Sequence, residues 1–171
     1  ADMYLTDRIA FVNRENFDLA AEIHLNAGGG TGSEVYYKHA DEEGKKLAAK
    51  ISAGIAKKFS LRDRGAKTKL NPTGGDYFGF VRSVRCRSLL IETVFIDSSS
   101  DRRNVETEAG QKKCGESIAA SIAEFYELCV KNKPQKVAQY ADIRAGDRVK
   151  IIGKNYATGQ RIPSWVKLRT H

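Results

Sequence analysis

Residues 18–25 read Asp18-Leu19-Ala20-Ala21-Glu22-Ile23-His24-Leu25. Leu19, Ala21, Ile23 and Leu25 alternate with Ala20, Glu22 and His24, the period of a strand and not of a helix. The stretch before it has the other period: over residues 4–15, Leu5, Ile9 and Val12 fall on one helical face. After it, Gly28-Gly29-Gly30-Thr31-Gly32 must be a loop, and Ser33–Lys38 (SEVYYK) reads as a second strand. Residues 42–59 place Leu47, Ile51, Ile55 and Phe59 in helical register. A basic, glycine-containing loop is expected up to about Asp76, then a short strand at Tyr77–Val81 and a more buried one at Ser88–Ile96 (SLLIETVFI). Residues 106–130 complete the pattern as a long helix, with Ile118, Ile122, Phe125, Tyr126 and Cys129 facing inward. Strands alternating with helices make the class α/β, with helices packed on a sheet.

The texture changes after residue 131. Lys131–Gln139 (KNKPQKVAQ) is polar, contains Pro134 and reads as a linker, given as 132–139 between a domain over 1–131 and a piece over 140–171. In that last piece Gly146–Ile152 is strand-like and Trp165 follows Pro163 in a turn-rich stretch. Roughly 32 residues cannot bury a core of their own, so truncation at this end is expected.

The whole chain has 171 residues, 41% apolar and 29% charged, an ordinary globular balance. Its longest apolar runs are far below the roughly 20 residues that span a bilayer, and the acidic and basic start does not read as a signal peptide. The net charge of +8 favours an anionic partner such as a cell wall bearing acidic polymers, or serves solubility alone. The basic residues are scattered and lack the stacked aromatics of a single-strand binder, so no nucleic acid is expected. Cys86, Cys114 and Cys129 are odd in number and widely spaced, against both a disulfide framework and a thiolate zinc site.

Two residues could carry chemistry. His24 sits on the polar side of its strand, beside Glu22 and Asn26, immediately before a glycine loop, where open α/β sheets place their sites. It is either a zinc ligand or a hydrogen-bonded structural histidine. Glu92 interrupts Leu89, Leu90, Ile91, Val94 and Phe95, which puts a carboxylate in or near the core. Burial without a partner costs several kcal/mol or raises the pKa, so Glu92 either works or pairs with Arg82 or Arg87. His39, after the second strand, is a possible further ligand or a surface histidine. The glycine loop lacks the Lys-Ser/Thr of a phosphate cradle and reads as a rim or tight turn.

Three separate, collinear stretches resemble the zinc-dependent N-acetylmuramoyl-L-alanine amidases over about residues 2–130. They are Ile23-His24-Leu25-Asn26-Ala27 with the glycines and Gly32–Tyr37, then Arg64-Gly65-Ala66-Lys67, then Leu90-Ile91-Glu92-Thr93-Val94-Phe95-Ile96-Asp97. The resemblance implies a mixed twisted sheet flanked by helices and hydrolysis of the amide between N-acetylmuramic acid and L-alanine in peptidoglycan. It implies a zinc ion held by two histidines and a glutamate, with His24 as the second histidine. It makes Glu92 the catalytic glutamate that assists the zinc-bound water, and Asn26 a substrate-binding residue. The family's first histidine and its ligand glutamate would precede the helix at 4–15, and the residues before His24 contain neither motif. A missing N-terminal strand and helix are therefore expected, and with them an inactive chain. Glu22 shares a strand face with His24 and either orients it or substitutes as a ligand; orientation is favoured, since family ligands come from other elements. Residues 146–168 resemble the opening of a small β-barrel wall-binding module of the bacterial Src-homology type. The expected protein is a monomeric endolysin or autolysin acting in the extracellular space or cell wall, without a membrane partner. The alternative is a catalytically inactive peptidoglycan-binding protein.

Overall fold

The computed structural model describes residues 3–128. The order of elements is α1 (Leu5–Arg14), β1 (Leu19–Asn26), β2 (Ser33–Tyr37), α2 (Glu42–Phe59), β3 (Asp63–Lys67), α3 (Gly79–Ser83), β4 (Arg87–Phe95), α4 (Ser99–Arg102) and α5 (Glu108–Phe125). The four strands form one mixed sheet in the order β1-β4-β2-β3. β1 runs parallel to β4, β2 antiparallel to β4, and β3 parallel to β2. The linker and the partial barrel module expected beyond residue 131, and Cys129, lie outside the described residues.

β4 is apolar almost throughout because it has a strand on each side and helices over both faces. On one face Leu89 and Ile91 join Val35 against Leu47, Ile51 and Ile55 of α2 and Cys114 and Ile118 of α5, and these form the main core. Each such side chain contributes about 1.5–3 kcal/mol on burial. α2 carries its own boundaries: Asp41 accepts from the Gly44 amide at 2.8 Å, Glu42 and Glu43 open the helix, and Lys57 and Lys58 close it. The second, smaller core lies on the other face, where Phe80 and Val84 meet Ala20 of β1 and Ile9 and Val12 of α1.

Two expectations fail between α2 and β4. The expected loop contains β3, hidden in sequence because Asp-Arg-Gly-Ala-Lys has no β-branched or aromatic residue and lies at the sheet's edge. Tyr77–Val81 is not a strand; Gly79–Ser83 is a short helix. Its entry is held by the Arg82 guanidinium, which donates to the carbonyls of Asp76 and Tyr77 at 2.7 and 3.1 Å. Phe80, Val81 and Val84 are buried at helical spacing.

The alternation in β1 is real, but its sides are reversed from intuition. Ile23 and Leu25 are 62% and 49% exposed, while Ala20, Glu22, His24 and Asn26 face the covered side. Among the described residues β1 is an edge strand; Leu19 at its start packs against the main core, while Ile23 and Leu25 further along the same side stay open.

Candidate active site

His24 on β1 is paired with Glu92 on β4, and Glu92 is paired in turn with Glu34 on β2. Period two sends all three side chains to the same face, so an imidazole and two carboxylates form a row across three adjacent strands. One step along lie Glu22, Leu90, Tyr36 and Lys67, again side by side.

Glu92 has the environment its sequence context implied. It is half-buried between fully buried neighbours, and its Oε2 is buried with no hydrogen-bond partner among the described residues. Burial pushes its carboxyl above the usual range; Glu34 adds to the rise and His24 opposes it. Neither arginine named as a structural partner is there. Arg82 holds backbone carbonyls, and Arg87 pairs with Asp41 at 3.0 Å and with the Tyr126 hydroxyl.

Glu34 was not singled out by sequence reasoning. It is only 3% exposed. Arg64 Nε donates to Oε2 at 2.6 Å, Asn26 Nδ2 and the Tyr36 hydroxyl donate to Oε1 at 2.9 and 3.2 Å, and Lys67 Nζ lies 4.0 Å away. The signal was present: like Glu92, it is a carboxylate inside a strand whose neighbours Ser33 and Val35 are buried. Burial, then the charge and hydrogen bond of Glu34, push the Tyr36 phenol up to about 12.

The imidazole of His24 is 40% exposed, with Nε2 3.4 Å from Oε2 of Glu22. Glu22 is itself bound to Arg8 on α1 at 3.1 Å. Asn26 is fixed at both ends, donating to Glu34 and accepting from the Ala27 amide at 2.8 Å. His39 is not part of this group: it lies five residues past Glu34 at the other end of β2, roughly 16 Å along a strand. Among the described residues no three His, Cys, Asp or Glu side chains are gathered to hold a metal. Glu22 and Glu34 are already paired with Arg8 and Arg64, so the uncommitted donors next to one another are the imidazole of His24 and the carboxylate of Glu92. That is fewer than the three protein ligands a catalytic zinc takes, so the described residues alone do not fit the metal.

The glycine loop beside His24 is a pinned rim. The amides of Gly28 and Gly29 both donate to Asp97 Oδ2, at 2.8 and 2.7 Å, which lowers that carboxyl's pKa. With those amides occupied it cannot cradle a phosphate. Gly32 is required where it stands, with φ at +104° and no room for a Cβ against the Arg62 carbonyl oxygen.

A protein-family model described as N-acetylmuramoyl-L-alanine amidase matches residues 1–124. The chain is 30% identical over 132 residues to YqiI of Bacillus subtilis (strain 168), covering 74% of this chain and 61% of that one. It is 28% identical over 127 residues to the N-acetylmuramoyl-L-alanine amidase LytC of the same organism, covering 71% of this chain and 24% of that one. Among solved structures, Cwp6 from Clostridium difficile matches with a TM-score of 0.70 at 34% identity, over 73% of this chain and 20% of that chain. The chain spans between 24% and 61% of the length of the curated relatives it matches.

Proposed function

From the premise that the chain belongs to the N-acetylmuramoyl-L-alanine amidase family, whose model matches residues 1–124, we propose that it hydrolyses the amide between N-acetylmuramic acid and L-alanine in peptidoglycan. The observation that carries this reading is Glu92, a half-buried carboxylate with an unpartnered oxygen, next to His24. An amide is a poor electrophile with a poor leaving group, so its hydrolysis needs a base for the attacking water and an acid for the departing amine. Glu92 takes the proton from the water and returns it to the alanine nitrogen as the C–N bond breaks. Its raised pKa suits both halves of that traffic. The carboxylic acid stays on the lactyl group, and the amine leaves on alanine.

Zinc, when bound, would polarise the carbonyl and acidify the water. We assign His24 toward it and derive no step through it, because the described residues do not complete its ligand set. Glu22 orients the imidazole. Asn26 fixes Glu34 with one amide hydrogen and keeps the other for substrate. The protein is proposed to act as a monomer in the cell wall or extracellular space, as an autolysin or endolysin; no helix among the described residues is long and apolar enough to cross a membrane.

The alternative reading is a wall-binding protein without activity. Both are tested by incubating purified walls with the protein in its full natural form. New amino groups on alanine without new reducing sugar ends, lost on adding a chelator, are expected. Binding without release supports the second reading, and reducing ends alone contradict both, since most glycosidases use paired carboxylates instead.

A further inference from the structure

Arg64 and Lys67, at the far end of the His24–Glu92–Glu34 row, have no part in the proton transfer. Their placement is built into the backbone. Ser33 pairs with Asp63 and Glu34 with Gly65, so Arg64 is the extra residue of a bulge between β2 and β3. Gly65 takes φ of +75°, and its amide is held by the Ser52 hydroxyl and the Asp63 carboxylate at 3.1 and 2.9 Å. Bulges re-aim side chains, and this one sends Arg64 over the site.

The guanidinium is then fixed on one edge and one face. Nε donates to buried Glu34 at 2.6 Å, and the plane lies over the Phe95 ring with its carbon 5.0 Å from the centroid. Among the described residues neither terminal nitrogen has a hydrogen-bond partner. The Arg64 side chain is 27% exposed, so the remaining edge, two parallel donors, can meet a ligand. Lys67, whose side chain is 38% exposed, adds an ammonium 4.0 Å from Glu34. Two cations face one carboxylate, so this end of the site carries a surplus positive charge.

We propose that Arg64 and Lys67 form an anion-recognising end of the site that binds a carboxylate of the stem peptide, on the residue that follows L-alanine. The proposal rests on the amidase reading above. Glu34 is the positioning residue: it holds the fork in place and leaves it one edge. Holding the peptide there draws the scissile amide along the row toward Glu92, which is the orientation an amide hydrolase needs.

Binding of two small ligands to the full chain carrying Glu92→Gln, which keeps the ligand intact, tests this. One is N-acetylmuramoyl-L-alanyl-D-glutamate; the other is the same compound with both carboxyls as amides. The acid should bind about tenfold more tightly, the worth of one charge-assisted contact. Lys67→Met on that background should narrow the acid's advantage several-fold and leave the amide unmoved, Lys67→Arg should restore it, and an advantage unchanged by Lys67→Met would remove Lys67 from the anion-recognising end. Arg64→Ala exposes Glu34 to an unpaired state and risks the fold, so the lysine variants carry the test. Equal affinity for acid and amide, or loss of both with Lys67→Met, overturns the proposal. If the chain with Glu92 intact still cleaves both compounds, only the anion-recognising end has failed; binding of neither compound contradicts the amidase reading as well.

Discussion

At the scale of single residues, the candidate site holds three polar side chains on a covered face with different degrees of satisfaction. Glu34 has all the partners a buried carboxylate requires, and Glu92 has an oxygen with none. The hydroxyl of Tyr36 reports on this environment. A phenol raised from 10.0 to about 12 in the folded chain favours its neutral form there. Stability that is intact below pH 10 is therefore lost as the pH rises through about 12. Urea midpoints of the parent should fall across that window more steeply than those of Tyr36→Phe, and the two should run parallel below it; parallel curves throughout would mean the phenol is not buried against Glu34. Glu92 and His24 were legible in the sequence because each breaks a local pattern, a charge among aliphatics and an imidazole at a strand end. Glu34 and Arg64 were less so. Their roles depend on cross-strand pairing and on a bulge, and neither follows from spacing along one segment.

At the scale of elements, periodicity recovered α1, β1, β2, α2, β4 and α5, whose apolar faces are regular. It missed β3, which is polar and bulged, and α3, whose Phe80 and Val81 follow Tyr77 and Phe78 in a run that imitates a strand. It also named the polar side of β1 without showing that this side is the covered one. That reversal has a consequence. Ile23 and Leu25 lie exposed on an edge strand, and such an edge pairs readily with another chain. Ile23→Lys should reduce aggregation of the 171-residue chain, read by light scattering on heating, and shift Tm little, because Ile23 is already 62% exposed. A large drop in Tm would show instead that Ile23 is packed in the chain in solution.

At the scale of the whole molecule, the sheet brings together what the sequence keeps far apart. β4 lies between β1 and β2, so Glu92 meets His24 on one side and Glu34 on the other, and the bulge of β3 closes the row with Arg64. The core on the opposite face supplies the rigidity that holds this row. Under the proposed function Glu92 moves the proton and contributes nothing to the fold. Its unpartnered buried oxygen implies that neutralising it costs no stability, as expected of a group retained for chemistry. The most direct measurement is the rate of alanine amino-group release from walls by Glu92→Gln against its parent, in whatever form of the protein shows that release, with Tm recorded for both. A fall of roughly 10²–10⁴-fold is expected, with Tm unchanged or higher. Release within a few-fold of the parent, or a loss of activity that merely follows unfolding, would contradict it.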